Sequence, residues 1–331
     1  MTEPVLPEGR GELSYAVVRA LRGGPGRPLP TPQDQDLVQR ATPYGEDLQL
    51  ALYLCYELHY RGFSGVDPAW EWDSGLLGLR GAMERRFLAT LRADAHRHAS
   101  VDDALQEILV EPVKPSGISE FLKGEGKLWQ LREYAAQRSL YHLKEADPHA
   151  WVIPRLRGRA KAAMAAVEFD EFGAGRAERV HALLYAKLMA DLGLDTTYGR
   201  YLDAACAEML MSVNLMSLFG LHRSLRGALV GHFAAVEVTS SAGARRMAQA
   251  MQRAGAGPAA VHFYTEHVRA DAVHEQIVRR DVIGGLLEED PGLEGDVTFG
   301  IDATGWAEDR LGARLLTAWR QGLSSLRTPL S

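Results

Sequence analysis

The chain has 331 residues, 46 % hydrophobic and 24 % charged, enough for one large domain, or one domain with an appended subdomain, around a substantial core. A net charge of -6 without a basic face argues against a nucleic-acid partner, and no apolar run of about 18 residues is present to cross a membrane. Cys55 and Cys206 form no C-x-x-C pair and cannot build a disulfide framework, and the stretch from Met1 to Arg22, with acids at Glu3, Glu8 and Glu12 and no long apolar run, does not read as a signal peptide, so a cytoplasmic protein is expected.

Seven of the 15 prolines fall between Pro4 and Pro43, which predicts a loop-rich lead with one helix around Leu13 to Leu21. Helical periodicity then runs over Glu46–Arg61 and Leu76–His98. Ser100 is an N-cap for Val101–Val110. Further helices are predicted at 117–124, 126–144, 154–171, 176–192, 199–219, 223–238, 242–254, 258–288 and 306–325. Pro154 and Pro258 stand near first turns, where proline is tolerated, and Gly193, Gly220 and Gly255 stand where helices should stop. Alternating β-branched runs are scarce. The fold class is therefore all-α, with residues 1–100 as an N-terminal extension, loop-rich then helical, and 101–331 as a helical bundle.

The sharpest chemical signal is HFYTEHVRADAVH, His262 to His274. His267, Asp271 and His274 stand at i, i+4 and i+7, within an arc of roughly 60° on one helix face. Two imidazoles and a carboxylate converging on one volume suit iron, manganese or another borderline metal. A second segment, EFDEFGAGRAERVH, carries Glu168, Asp170, Glu171, Glu178 and His181. Glu178 and His181 make the E-x-x-H pair used in carboxylate-bridged di-iron bundles, and by helix geometry Glu178 is the tidier ligand. Gly173 and Gly175 interrupt the periodicity between Glu171 and His181. Glu237 ends the apolar stretch ALVGHFAAVE, either near a helix end or buried against a charge; His232 on the same helix reads as a packed histidine. Glu145 lies close to a helix end set by Pro148. Glu57 and His59, two residues apart, point to different sides of a helix and read as structural.

This set resembles the haem-oxygenase-like di-iron oxidases and oxygenases, the iron-containing redox enzymes, in which an acid and a His on one core helix precede an acid on the next and H-x-x-x-D-x-x-H on a third. The resemblance covers roughly residues 115–325. It implies Glu171, His181, Glu237, His267, Asp271 and His274 as metal ligands, choosing Glu171 over Glu178. The branch that N-oxygenates amines and guanidines adds an upstream carboxylate, and Glu145 stands at its place. What the resemblance implies is an O2-dependent non-haem di-iron oxidoreductase with two Fe ions, O2 as co-substrate and an external reductant or electron donor. Its substrate would be a small organic molecule (an amino acid, amine or fatty-acid-like compound), with N-oxygenation as one outcome. Four carboxylates against two Fe(II) would make a near-neutral buried site. Arg269, Tyr264 and Tyr185 are candidates to hold a substrate carboxylate. A homodimer is the expected assembly, since symmetric dimers are the commonest oligomers.

Two other readings stay open on the sequence. The same bundle without di-iron chemistry would bind haem, or hydrolyse a thiamine-like substrate with Cys206 as nucleophile, although Cys206 sits in the apolar DAACAEMLM. A non-enzymatic helical interaction protein would bind no iron tightly.

Overall fold

The computed structural model describes residues 3–26, 32–110 and 116–330, apart from the side chains of 32–34 and 269–273. Among the described residues there is no strand. Five helices lie in the first 110 residues: α1 (Glu12–Leu21), α2 (Pro32–Arg40), α3 (Glu46–Glu57), α4 (Ser74–Asp94) and α5 (Val101–Leu109). They are followed by α6 (Ile118–Gly124), α7 (Leu128–His142), the single turn α8 (Asp147–Ala150), α9 (Gly158–Glu171), α10 (His181–Asp191) and α11 (Ala207–Leu221). The chain then runs through α12 (Arg226–Arg253), α13 (Pro258–Ile277), a π-helical turn (Val278–Ile283), α14 (Gly284–Glu289) and α15 (Glu294–Arg320). No described helix is long and apolar enough to cross a membrane.

Local chemistry sets many of the boundaries. The Ser100 hydroxyl accepts from the Asp103 N–H at 3.1 Å and opens α5, and Asp73 accepts from the Leu76 N–H at 2.9 Å to open α4. Pro258 is the first residue of α13, as its position predicts. The cap of that helix is tertiary: Asp191, the last residue of α10, accepts from the Ala259 and Ala260 N–H groups at 2.6 and 3.1 Å. Gly193 and Gly255 end their helices at φ of 66° and 71°.

Several expectations are corrected, among them the predicted helix 199–219, which begins only at Ala207. Gly220 does not stop a helix; it lies inside α11, where a Cβ would come within 2.6 Å of the Pro148 carbonyl oxygen, so close backbone approach demands glycine there. The predicted helices 223–238 and 242–254 are one continuous helix, α12. The Val-Thr-Ser-Ser run between them reads as a break, but Thr239 Oγ1 donates to the Ala235 carbonyl and Ser240 Oγ to the Glu237 carbonyl, so the hydroxyls stay within the helix. The last helix begins at Glu294, well before residue 306. Its glycine-rich first half is helical because α15 crosses α12 at backbone contact. A Cβ on Gly231 would fall 2.0 Å from the Val297 oxygen, and one on Gly300 2.1 Å from the Ala228 oxygen. The lead also holds a second helix, α2, beyond the one predicted.

Helix α12 runs against α13, α15 and α6, while α10 packs on α13 and α7. Helix α3 is buried from Leu48 to Glu57 and packs on α11, so the apolar residues of the first 100 positions join one continuous core with those of the rest.

Candidate metal centre

Five segments bring carboxylates and imidazoles to one place. Glu145 sits in the turn after α7, Glu171 is the last residue of α9, His181 the first of α10, Glu237 lies midway along α12, and His267 and His274 are on α13. The break between α9 and α10 is what joins two of these. Residues 172–180 fold back through Gly173, Ala174 and Gly175, at φ of 82°, 51° and 78°. Gly173 is required there, since a Cβ would lie 2.4 Å from the Arg176 oxygen. The result places His181 Nδ1 2.5 Å from Glu171 Oε2.

The six side chains form two groups of three, Glu145–His181–His267 and Glu171–Glu237–His274, each with its donor atoms within 4.8 Å of one another. Glu171 and His181 connect the groups. His267 Nε2 faces Glu145 Oε1 at 3.9 Å, and His274 Nδ1 faces Glu237 Oε2 at 3.2 Å and Glu171 Oε1 at 3.8 Å. Glu178 is exposed in a 3-10 turn, off the helix that carries His181, and stands outside both groups. Asp271 lies on α13 between His267 and His274, but its side chain, like that of Arg269, is outside the described residues.

The donor set fits a cation. His267 Nδ1 donates to the Phe263 carbonyl at 2.8 Å, which leaves the Nε2 lone pair turned toward Glu145 and without a hydrogen-bond partner. His274 Nε2 lies 3.2 Å from Asp170 Oδ2, so its Nδ1 is the atom presented to Glu171 and Glu237. His142 Nδ1 lies 2.9 Å from Glu145 Oε2 and fixes that carboxylate.

The acids and imidazoles of the centre shift one another's protonation. Burial pushes the Glu145 carboxyl up, but His142, His267 and His181 outweigh it and hold it at about 2. Burial and Glu171 raise Glu237 to about 6 against the pull of His274. His274, despite its burial, is raised to about 9 by Glu237 and Asp170.

A cavity of about 1050 Å³ adjoins the centre and is lined by Glu145, Glu171, Glu237 and His267. Tyr264 is on its wall with a hydroxyl that has no partner, whereas Tyr185 donates to the Ala135 carbonyl at 2.9 Å and is not free to hold a ligand. His149 and His232 also line it, 3.1 Å apart through their Nε2 atoms. Thr304 donates to the Gly300 carbonyl and accepts from His232 Nδ1, so His149 supplies the proton between the rings. His232 is thus the packed, hydrogen-bonded histidine its sequence suggested. Cys206 is buried and its thiol is pushed up to about 12, which makes it inert as a nucleophile.

The sequence did not single out His142, although its spacing of three from Glu145 is a signal. Nor did it assign roles to Asp170 or Glu168 on α9. Glu57 and His59 part company as expected: Glu57 pairs with Lys144, and His59 with Glu71.

An all-α bundle with a buried carboxylate–histidine cluster is compatible with a bound metal ion, and the comparison with protein families gives the class. The model of the iron-containing redox enzymes matches residues 132–309, so this chain belongs to that family, and its fold is the haem-oxygenase-like one. A particular relative is the nitrosourea synthase of Streptomyces achromogenes subsp. streptozoticus, 24 % identical over 161 residues. The match takes in 48 % of this chain and only 34 % of that protein.

Proposed function

We propose that this iron-containing redox enzyme is an O2-dependent di-iron oxidase or oxygenase of a small organic substrate, with N-oxygenation of an amine-type compound as the favoured reaction. The observation that carries the reading is the pair of three-residue donor groups joined through Glu171 and His181. Glu145, His181 and His267 would hold one iron, and Glu171, Glu237 and His274 the other, with Asp271 as an added ligand. N-oxygenation is supported by the participation of Glu145 and by the similarity to a nitrosourea synthase.

Two bound iron ions would supply the electrons that reduce O2 and the oxidising power delivered to the substrate, and repeated turnover would need an external electron donor. The chain's own residues do the rest. His142 and the Phe263 carbonyl orient Glu145 and His267, and Asp170 orients His274. The adjoining cavity holds the substrate against the carboxylate side of the centre, with the Tyr264 hydroxyl as a polar contact. Cytoplasmic location and a homodimer complete the proposal.

The test is anaerobic Fe(II) loading of the wild type, His267→Ala and Glu237→Ala, followed by rapid mixing with O2. About two irons per wild-type chain and a transient visible band are expected, both lost or halved in the variants. Little iron in a folded wild type would overturn the reading.

A further inference from the structure

Glu168 lies three residues before Glu171 on α9 and so shares its helix face. Its side chain is 2 % exposed, and neither carboxylate oxygen has a hydrogen-bond partner. Two other buried acids of this chain are satisfied. Glu57 takes Lys144 Nζ at 2.8 Å and the Tyr198 hydroxyl at 2.6 Å. Glu133 Oε2 accepts from Trp319 Nε1, the Ser325 N–H and the Ser325 hydroxyl. Glu168 has nothing comparable. An unpartnered buried carboxylate is costly, and it persists where something completes it.

The charges acting on Glu168 are Glu171, Glu237, Asp147 and Glu145, all of them acidic. Among such neighbours only a cation or a proton can satisfy Glu168. Burial, then Glu171 and Glu237, raise its carboxyl well above the usual range.

We infer that Glu168 is a further carboxylate donor to the cation position formed by Glu171, Glu237 and His274. The inference rests on the two-metal reading above and adds a residue to it. Glu168 stands outside both three-residue groups, and its place one helical turn before Glu171, on the same face of α9, assigns it to that position rather than to the Glu145–His181–His267 one. Carboxylate donors can move between terminal and bridging positions, and a donor one turn upstream of Glu171 gives the α9 side of the centre a second point of attachment.

The experiment is Mn(II) binding to the metal-free full chain, with free Mn(II) counted by electron paramagnetic resonance, for the wild type, Glu168→Gln and Glu168→Leu. The wild type should bind about two ions per chain, and both variants should keep the first step and weaken the second by about tenfold or more. Glu168→Leu should also match or exceed the wild type in metal-free melting temperature, because it removes an unpartnered buried carboxylate. Variants that bind both ions with wild-type affinity would overturn the inference and leave the two-metal reading standing. A folded wild type that binds fewer than two ions would overturn that reading and the inference with it. If both variants are less folded than the wild type without metal, Glu168 is a structural acid and the inference fails.

Discussion

His181 Nδ1 lies 2.5 Å from Glu171 Oε2, although ten positions separate them and a helix ends and another begins between them. The turn that makes this contact depends on Gly173, at φ of 82° and pressed against the Arg176 oxygen. Gly173→Ala should destabilise the protein by about 2 kcal/mol or more and lower its iron content, both read from urea unfolding and metal analysis. An unchanged iron content would mean that the turn does not set the geometry of the centre.

Alanine at Glu171 and at Glu178 should have opposite consequences. Glu171 belongs to a donor group, whereas Glu178 is exposed in the intervening turn. Glu171→Ala should lose iron, and Glu178→Ala should retain it in full. Because the centre crowds buried acids together, Fe(II) or Mn(II) should also raise wild-type stability, by about 2.7 kcal/mol per site at a hundredfold excess over Kd. Chelated protein should show no such increment, and Glu171→Ala only part of it. Calorimetry with and without metal measures each.

The turn that carries Glu145 is anchored by its neighbour. Lys144 Nζ, 1 % exposed, lies 2.8 Å from Glu57 Oε2 on α3 and 4.2 Å from the centre of the Tyr60 ring. Lys144→Met leaves Glu57 as an uncompensated buried charge and should cost about 3–5 kcal/mol. The double variant Lys144→Met/Glu57→Leu should recover most of that loss, since both charges then leave together. Denaturant midpoints for the two singles and the double form the cycle, and additive losses would disprove the pairing.

His98, in the turn between α4 and α5, joins Asp302 Oδ1 at 2.6 Å and Glu107 Oε2 at 2.9 Å. The hydrogen bond to Asp302 raises its pKa above 6.5, partial burial opposes the rise, and Glu107 adds to it. A group raised in the folded state contributes stability that is fully present below pH 6.5 and lost as pH climbs through the raised value. Melting temperature should therefore fall across that window in the wild type, and less in His98→Gln. Parallel profiles for the two proteins would exclude His98 as the source.

The helix periodicity of α4 and α9 was legible because their buried apolar residues, such as Leu76, Leu79, Met83, Phe87 and Leu91, recur at three- and four-residue steps, a property of the chain alone. So were the caps at Ser100 and Pro258, whose effects reach only one turn. The breaks were less legible. Thr239 and Ser240 favour leaving a helix in an isolated segment, but α12 packs along α13, α15 and α6 and stays continuous, with their hydroxyls turned to carbonyls of its own turn. Gly231 and Gly300 weaken helices intrinsically, yet each is required by the other helix's backbone.

For the centre, the sequence by itself determined the donors that recur at helical spacing. His267 and His274 share one face of one helix, and no tertiary information is needed to see it. It determined the class of protein as well, through the order of acids and histidines along the chain. Tertiary structure alone placed Glu171 beside His181 and left Glu178 exposed, because that depends on where α9 ends and how the chain returns. It alone brought in His142 and Asp170, and left Glu168 buried without a partner. Periodicity reports which side of a helix a residue occupies. What that side faces is set by packing between segments far apart in sequence, and the chemistry of the centre depends on that packing.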